Sequence, residues 1–228
     1  MQCPIDLLSG NVRAKRERRK DARPGELLAA ALDLFVEKGF AATRAEEVAK
    51  RAGVSKGTLF LYFSSKEELF KAVVRENISG RFDAWSQELD EYRGSSAELL
   101  RYCVCTWWER VGSTKAAGIS KLMLSEAGNF PELAAFYQTE VIQPGNALIR
   151  RVLQRGMDSG EFRAVNLDYG SHLVMAPFLF LAVSQQSMGA CMPPNMPFDP
   201  QTYLDIQVDN LLMGLAVRPP ATPSTSSP

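Results

Sequence analysis

The sequence predicts an all-α protein: a three-helix N-terminal head followed by a larger helical body, about nine helices in total. Two observations predict it. Apolar residues recur at three- and four-residue spacings along most of the chain, and capping residues, glycines and prolines punctuate those stretches at intervals suited to helices.

Residues 1–22 read as a flexible basic arm, with Arg13, Lys15, Arg16, Arg18, Arg19 and Lys20 interrupted only by Glu17 and Asp21. From Pro24 a first helix carries Leu28, Ala31, Leu32, Phe35 and Val36 on one face, and Gly39 supplies its stop. Thr43 and Glu46 form a Thr-x-x-Glu capping box for a short second helix, whose Ala45, Val48, Ala49 and Ala52 make a small-residue inner face. Gly53 ends it, Ser55 caps a third helix, and Leu59 with Phe63 forms that helix's inward pair. Two short helices across a tight glycine turn predict a helix-turn-helix within residues 23–70, although an αα-hairpin that only packs has the same spacings.

Ser64-Ser65 with Glu67 and Glu68 launches a fourth helix expected to run from Lys66 to about Tyr92, ending at Gly94. Ser95 or Ser96 caps a fifth, a sixth is expected from Thr114 to Ala127, and Pro131 opens a seventh reaching about Met157, bent at Pro144-Gly145. Asn166 or Asp168 opens an eighth helix to about Met188, apolar over Leu173–Val183 and so expected to be buried on more than one side. Asp199-Pro200 is an N-cap and first-turn pair for a ninth, ending near Val217. Residues 71–218 form the body, and the Pro/Ser/Thr-rich stretch 219–228 is expected to be disordered.

Composition narrows the function classes. The 228 residues hold 26 Lys and Arg against 26 Asp and Glu, 46% are hydrophobic, and the longest apolar run is well short of a bilayer crossing. No membrane span or secretory signal is expected, and a cytoplasmic location is expected. Cys3, Cys103, Cys105 and Cys191 contain no CxxC pair and the chain has one histidine, so no metal site and no cofactor are expected. No Ser/His/Asp set, phosphate loop or paired carboxylates at catalytic spacing is visible, so the chain is not read as an enzyme.

The zero net charge hides a polarity. From Arg13 to Lys66 there are 13 basic and 7 acidic residues; from 71 to 228 there are 13 and 16. The positive end is either a solvated arm or one that follows a phosphate backbone. The third helix favours phosphate. With Leu59 and Phe63 inward, Ser55, Lys56, Thr58, Leu61 and Tyr62 face outward, where Leu61 can meet a thymine methyl and Tyr62 a phosphate oxygen. Gly57 lets the backbone approach closely, and Thr43, Arg44, Lys56 and Lys66 can fix register on phosphates.

These residues carry a resemblance. Ala31-Leu-Asp-Leu-Phe-Val-Glu-Lys-Gly-Phe40, Thr43, Val48-Ala-Lys-Arg-Ala-Gly-Val-Ser-Lys-Gly-Thr-Leu-Phe-Leu-Tyr-Phe63 and Ser65-Lys-Glu-Glu-Leu69 are similar to the DNA-binding domain of the TetR family of transcriptional regulators. The resemblance implies an all-helical homodimer with a DNA-binding head and a body that binds a small molecule. It places Thr43, Lys56, Thr58, Tyr62 and Lys66 at positions that usually touch DNA. Phe60-Leu61 departs from the more frequent Tyr-His or Tyr-Tyr, so no operator sequence follows.

The expected function is thus a ligand-responsive regulator, a repressor on a pseudo-palindromic operator. The alternative is a helical small-molecule-binding protein whose helix-turn-helix does not bind DNA. The apolar eighth helix needs partners on two sides, and pairing of helices near 167–188 and 200–216 with their copies would supply them. Trp107, Trp108, Met123, Phe136, Tyr137, His172, Met175 and Phe178 are candidate pocket residues for a hydrophobic or amphipathic effector, although such stripes also build plain core.

Overall fold

The computed structural model describes residues 9–188 and 198–217. Among them are eleven α-helices: α1 (Ser9–Ala42), α2 (Ala45–Arg51), α3 (Lys56–Tyr62), α4 (Lys66–Asn77), α5 (Phe82–Glu91), α6 (Ser96–Trp107), α7 (Ala117–Glu126), α8 (Pro131–Tyr137), α9 (Gln143–Asp158), α10 (Leu167–Met188) and α11 (Pro200–Leu215). The all-α expectation holds, with an isolated Phe162–Ala216 bridge as the one β-type pairing among the described residues. The tail at 219–228, Cys3, Cys191 and the prolines between α10 and α11 lie outside the described residues.

The two helices beyond nine come from breaks that periodicity hides. The expected fourth helix stops at Ile78, passes through a 3-10 turn (Ser79–Arg81) and restarts as α5. Gly80 marks the break, since a Cβ there would lie 2.7 Å from the Arg75 carbonyl. The expected seventh helix divides into α8 and α9 at a π-helical turn, Gln138–Ile142, which takes up the irregularity just before Pro144. A second π turn, Trp108–Gly112, follows α6. α7 starts at Ala117, later than Thr114, because that threonine forms a turn, its hydroxyl donating to the Val111 carbonyl at 2.9 Å.

Of the expected arm, residues 1–8 lie outside the described residues; from Ser9 the described backbone is helical and runs through Pro24 into the predicted first helix. The Thr43–Glu46 capping box is also replaced. Arg44 is the N-cap of α2, and its N–H donates to the Glu47 carboxylate at 3.1 Å. The Ser55, Ser65, Ser95 and Asp199 caps stand where the sequence puts them, and Asn166 caps α10 through the N–H groups of Asp168 and Tyr169.

Two hydrophobic clusters hold the molecule. One joins the head to the lower body: Leu27, Phe35, Phe40, Leu59 and Phe70 pack with Ile119 and Leu133. Its centre is aromatic, with Phe40 edge-on to Phe70 at 5.5 Å and to Phe130 at 4.8 Å. Gly118 lets α7 approach α1, since a Cβ there would meet Val36 at 2.6 Å. The other cluster gathers α6, α9, α10 and α11 around Leu100, Leu153, Phe178 and Leu204.

α10 is 22 residues long and contains an 18-residue window of mean hydropathy 1.3, long and apolar enough to span a bilayer by those measures alone. The 11-residue run read from sequence understates it. Here Val174, Phe178, Leu181 and Ala182 bury one side of it against the body, while Tyr169, Leu173 and Phe180 on the other side are more than half exposed, so within one subunit the helix is buried on one side and not on more than one as expected.

Candidate nucleic-acid interface and ligand cavity

α2 and α3 cross over a three-bond turn: Ala52, Gly53 and Val54 N–H groups donate to the Val48, Lys50 and Ala49 carbonyls. Gly53 takes φ +66°, a conformation that favours glycine. Val48 and Ala49 are buried behind α3, and Leu59 is its buried anchor. The outward face of α3 is then set by helix phase. Ser55, Lys56 and Gly57 are exposed, Thr58 is half-buried, and Leu61 is 83% exposed. Ser55 Oγ accepts from the Thr58 N–H at 3.0 Å, which fixes the start of the helix.

Charge at this face is partly committed. Lys56 pairs with Glu46 across the two helices and lies 5.8 Å from the Phe60 ring centre, and the lysine's hydrogen bond holds the Glu46 carboxyl below its usual range. Lys38 pairs with Glu47 and Arg51 with Glu37, both at 2.6 Å, clamping α2 to α1. Arg44 is exposed at the head of α2. Tyr62 is half-buried and packs its ring on the head's core.

Two expected DNA contacts turn inward. Thr43 is 1% exposed, its hydroxyl donating to the Gly39 carbonyl at 2.7 Å and to Leu34 at 3.2 Å. The Lys66 ammonium donates to the carbonyls of Phe40 (2.9 Å), Ala41 (3.4 Å) and Thr43 (3.1 Å), and sits 4.3 Å above the Phe40 ring. Both side chains hold the α1–α2 corner. The physical reason is that the corner leaves several carbonyls without helical partners.

The same corner is gripped from the body. Glu126, the last residue of α7, accepts from the Phe40 N–H at 2.9 Å and the Ala41 N–H at 3.0 Å. Gly39, at φ +85°, makes this possible, because a Cβ there would lie 2.3 Å from the Glu126 carboxylate. On the other side of α4, Arg75 holds Glu140 of the Gln138–Ile142 π turn through Nε at 2.8 Å and its guanidinium lies 5.1 Å from the Phe136 ring centre.

Above this corner lies a cavity of about 610 Å³. It brings together Trp107, Met123, Tyr137, His172 and Met175 from the sequence-predicted set. The other three are elsewhere. Trp108 and Phe178 are buried in the upper cluster, and Phe136 packs under Arg75 at the surface. Helix phase explains each: one residue's rotation separates Trp107 from Trp108 and Tyr137 from Phe136. Sequence reasoning missed Phe82, Trp85, Glu88 and Tyr102. The Phe82-x-x-Trp85-x-x-x-Leu89 stripe was a signal for the first two, hidden by treating α4 and α5 as one helix.

Polar groups in the wall are few. Ser120 and Tyr137 share a hydroxyl–hydroxyl bond of 2.9 Å, and burial pushes the Tyr137 phenol up. Glu88 Oε2 accepts from the Tyr102 hydroxyl at 2.8 Å, and Arg110 donates to both carboxylate oxygens at 2.9 and 3.2 Å. The Asn146 amide and the His172 ring stand 3.4 Å apart. Cys103 lines the cavity too, and burial, with the Glu88 charge, pushes its thiol up to about 12. Among the described residues no cluster of three potential metal ligands occurs.

The chain matches known families in two places. A family described as bacterial regulatory proteins, tetR family, matches residues 27–73, and a tetracyclin repressor-like C-terminal domain matches residues 93–189. The HTH-type transcriptional regulator RutR of Escherichia coli (strain K12) is 44% identical over 85 residues, 37% of this chain and 38% of that protein, so the match spans well under half of that relative. The uncharacterized HTH-type transcriptional regulator YfiR of Bacillus subtilis (strain 168) is 30% identical over 151 residues, 64% of this chain and 71% of that protein. Among solved structures, the transcriptional regulator FadR from Bacillus subtilis, in complex with stearoyl-CoA, aligns with TM-score 0.70 and 18% identity over 83% of this chain and 98% of that one.

Proposed function

The chain belongs to the TetR family of transcriptional regulators, and from that premise we propose that it acts as a homodimer, as a repressor on a pseudo-palindromic operator, released when a largely apolar effector fills the cavity. Its role is binding, with no catalytic step, and its place is the bacterial cytoplasm, on the nucleoid while bound.

The observation that carries the DNA reading is the outward face of α3, where Leu61 is 83% exposed beside Phe60 at 40%. An isolated seven-residue helix would not hold such side chains in water for packing reasons; in a major groove they meet thymine methyls and sugar edges. Ser55, Lys56, Thr58, Tyr62 and Arg44 surround them and supply phosphate contacts, and Gly57 leaves space for the backbone to approach. Thr43 and Lys66 act indirectly by shaping the corner.

Dimerisation is supported by an unpartnered apolar stripe. Tyr169, Leu173 and Phe180 on α10, with Ile206 and Met213 on α11, are each more than half exposed. Two copies packed through these helices would form a four-helix bundle and set two heads on successive half-sites about 34 Å apart.

Effector response follows from what the cavity touches. Met123, Leu124 and Ala127 flank Glu126 in sequence and line the cavity, as do Gln138, Val141 and Ile142 beside Glu140. A ligand that reshapes this wall moves the carboxylates that hold the Phe40–Ala41 corner and α4, and with them the spacing of the heads.

The test selects duplexes from a random pool with the full chain and titrates the selected sequence at two salt concentrations. A specific complex weakened roughly tenfold or more by Tyr62→Ala plus Lys56→Ala, with a shallower salt dependence, is expected. Failure to select any duplex, or unchanged affinity, would overturn the reading and leave a ligand-binding protein with an unused helix-turn-helix.

A further inference from the structure

The chemistry of the cavity wall limits what enters it, and the following rests on the reading that the cavity is the effector site. Among the described residues the wall contains no lysine and no arginine, and its one carboxylate is Glu88. Arg110, which holds that carboxylate, is itself not part of the wall. The carboxylate is engaged by two donations from Arg110 and one from Tyr102. Ionised carboxylates accept about four hydrogen bonds, so this wall carboxylate keeps acceptor capacity beyond its three donors. Burial pushes the Glu88 carboxyl up, but Arg110 and Tyr102 more than offset this and hold it below its usual range, so it is charged at neutral pH.

The rest of the wall offers no lysine or arginine, and its one imidazole, His172, stands 3.4 Å from the Asn146 amide. Thr106, Ser120 and Tyr137 contribute hydroxyls, Cys103 a neutral thiol, and Phe82, Trp85 and Trp107 aromatic surface. An anionic headgroup entering beside Glu88 would lose hydration, find no lysine or arginine in the wall and meet a like charge. A hydroxyl, amide N–H or ammonium would find an acceptor instead, and a cation would also meet aromatic faces.

We propose that the effector is a non-anionic, mostly apolar molecule that donates a hydrogen bond to Glu88, and that the cavity discriminates against carboxylates and phosphates. The stearoyl-CoA seen with the Bacillus subtilis FadR belongs to that protein; the wall of this cavity selects a different headgroup.

The test uses the full chain and the uncharged fluorophore N-phenyl-1-naphthylamine as cavity probe, displaced at neutral pH by three molecules of one chain length: 1-decanol, decylammonium and decanoate. Decanol and decylammonium should displace the probe at concentrations about tenfold or more below decanoate, and Glu88→Gln should narrow that gap to within about threefold by removing the charge. Decanoate competing as well as decanol in the unmodified protein overturns the inference, whether or not the variant folds. So does a gap that Glu88→Gln leaves unchanged. Failure of the probe to bind at all overturns the effector-site reading and this inference with it, an outcome distinct from a bound probe displaced best by decanoate.

Discussion

Lys66 carries a positive charge at a position where a phosphate contact is expected, yet its ammonium is enclosed by three carbonyls and an aromatic ring. Its residue type and sequence position were legible; its direction was not, because direction depends on which carbonyls the α1–α2 corner leaves unpaired. Thr43 follows the same logic. Leu61 is the contrary case: helix phase from Leu59 alone sends it outward, and the structure agrees. Cys103 adds a residue-scale prediction. A thiol whose protonated form persists to about 12 has almost no thiolate at ordinary pH. Iodoacetamide at any pH from about 7 to 9 should therefore leave the Cys103 peptide unmodified in the native protein and alkylate it after denaturation, read by mass spectrometry. Native labelling would mean that the site is open.

At the scale of elements, helix starts were the most legible feature. Ser55, Ser65, Ser95 and Asp199 cap through bonds confined to one turn, which sequence alone encodes. Interruptions within helices were less so. The π turns at 108–112 and 138–142 leave residue spacings that still look helical, and the hold of Glu126 on Phe40 and Ala41 joins residues more than 80 positions apart. That hold gives a sharp contrast between two glycines. Gly39→Ala must place a Cβ at φ +85° and into the Glu126 carboxylate, so urea unfolding should show a loss of about 1–3 kcal/mol. Gly25 sits in α1 with open space around its Cβ position, and Gly25→Ala should be neutral or stabilising by up to about 1 kcal/mol. Equal effects at the two positions would remove the argument for strain at the corner.

At the scale of the molecule, the all-α architecture was legible because it rests on repeated spacing. The cavity was legible only in part. Its walls come from six helices and both π turns, and which of two adjacent aromatics faces inward depends on how those elements meet. Charge polarity along the chain was readable as well; Lys38, Arg51 and Lys56 are each paired with an acidic neighbour, which the sequence did not show and which leaves the net surplus to the other basic residues. The exposed stripe on α10 and α11 carries the prediction at this scale. Leu173→Glu with Phe180→Glu should convert a dimer into a species of mass close to 25.2 kDa by light scattering, and should abolish binding to a two-half-site duplex. A mutant that remains dimeric would move the interface elsewhere.

If the proposed dimer forms through that stripe, the regulator's output is tied to its own abundance. When subunits are scarce enough to be mostly single, paired readers accumulate as the square of the subunit concentration, so halving the gene dose cuts operator occupancy about fourfold in that regime. Burying Leu173 and Phe180 against a twin would thus make the cell's copy number, as much as the effector, an input to the genes it controls.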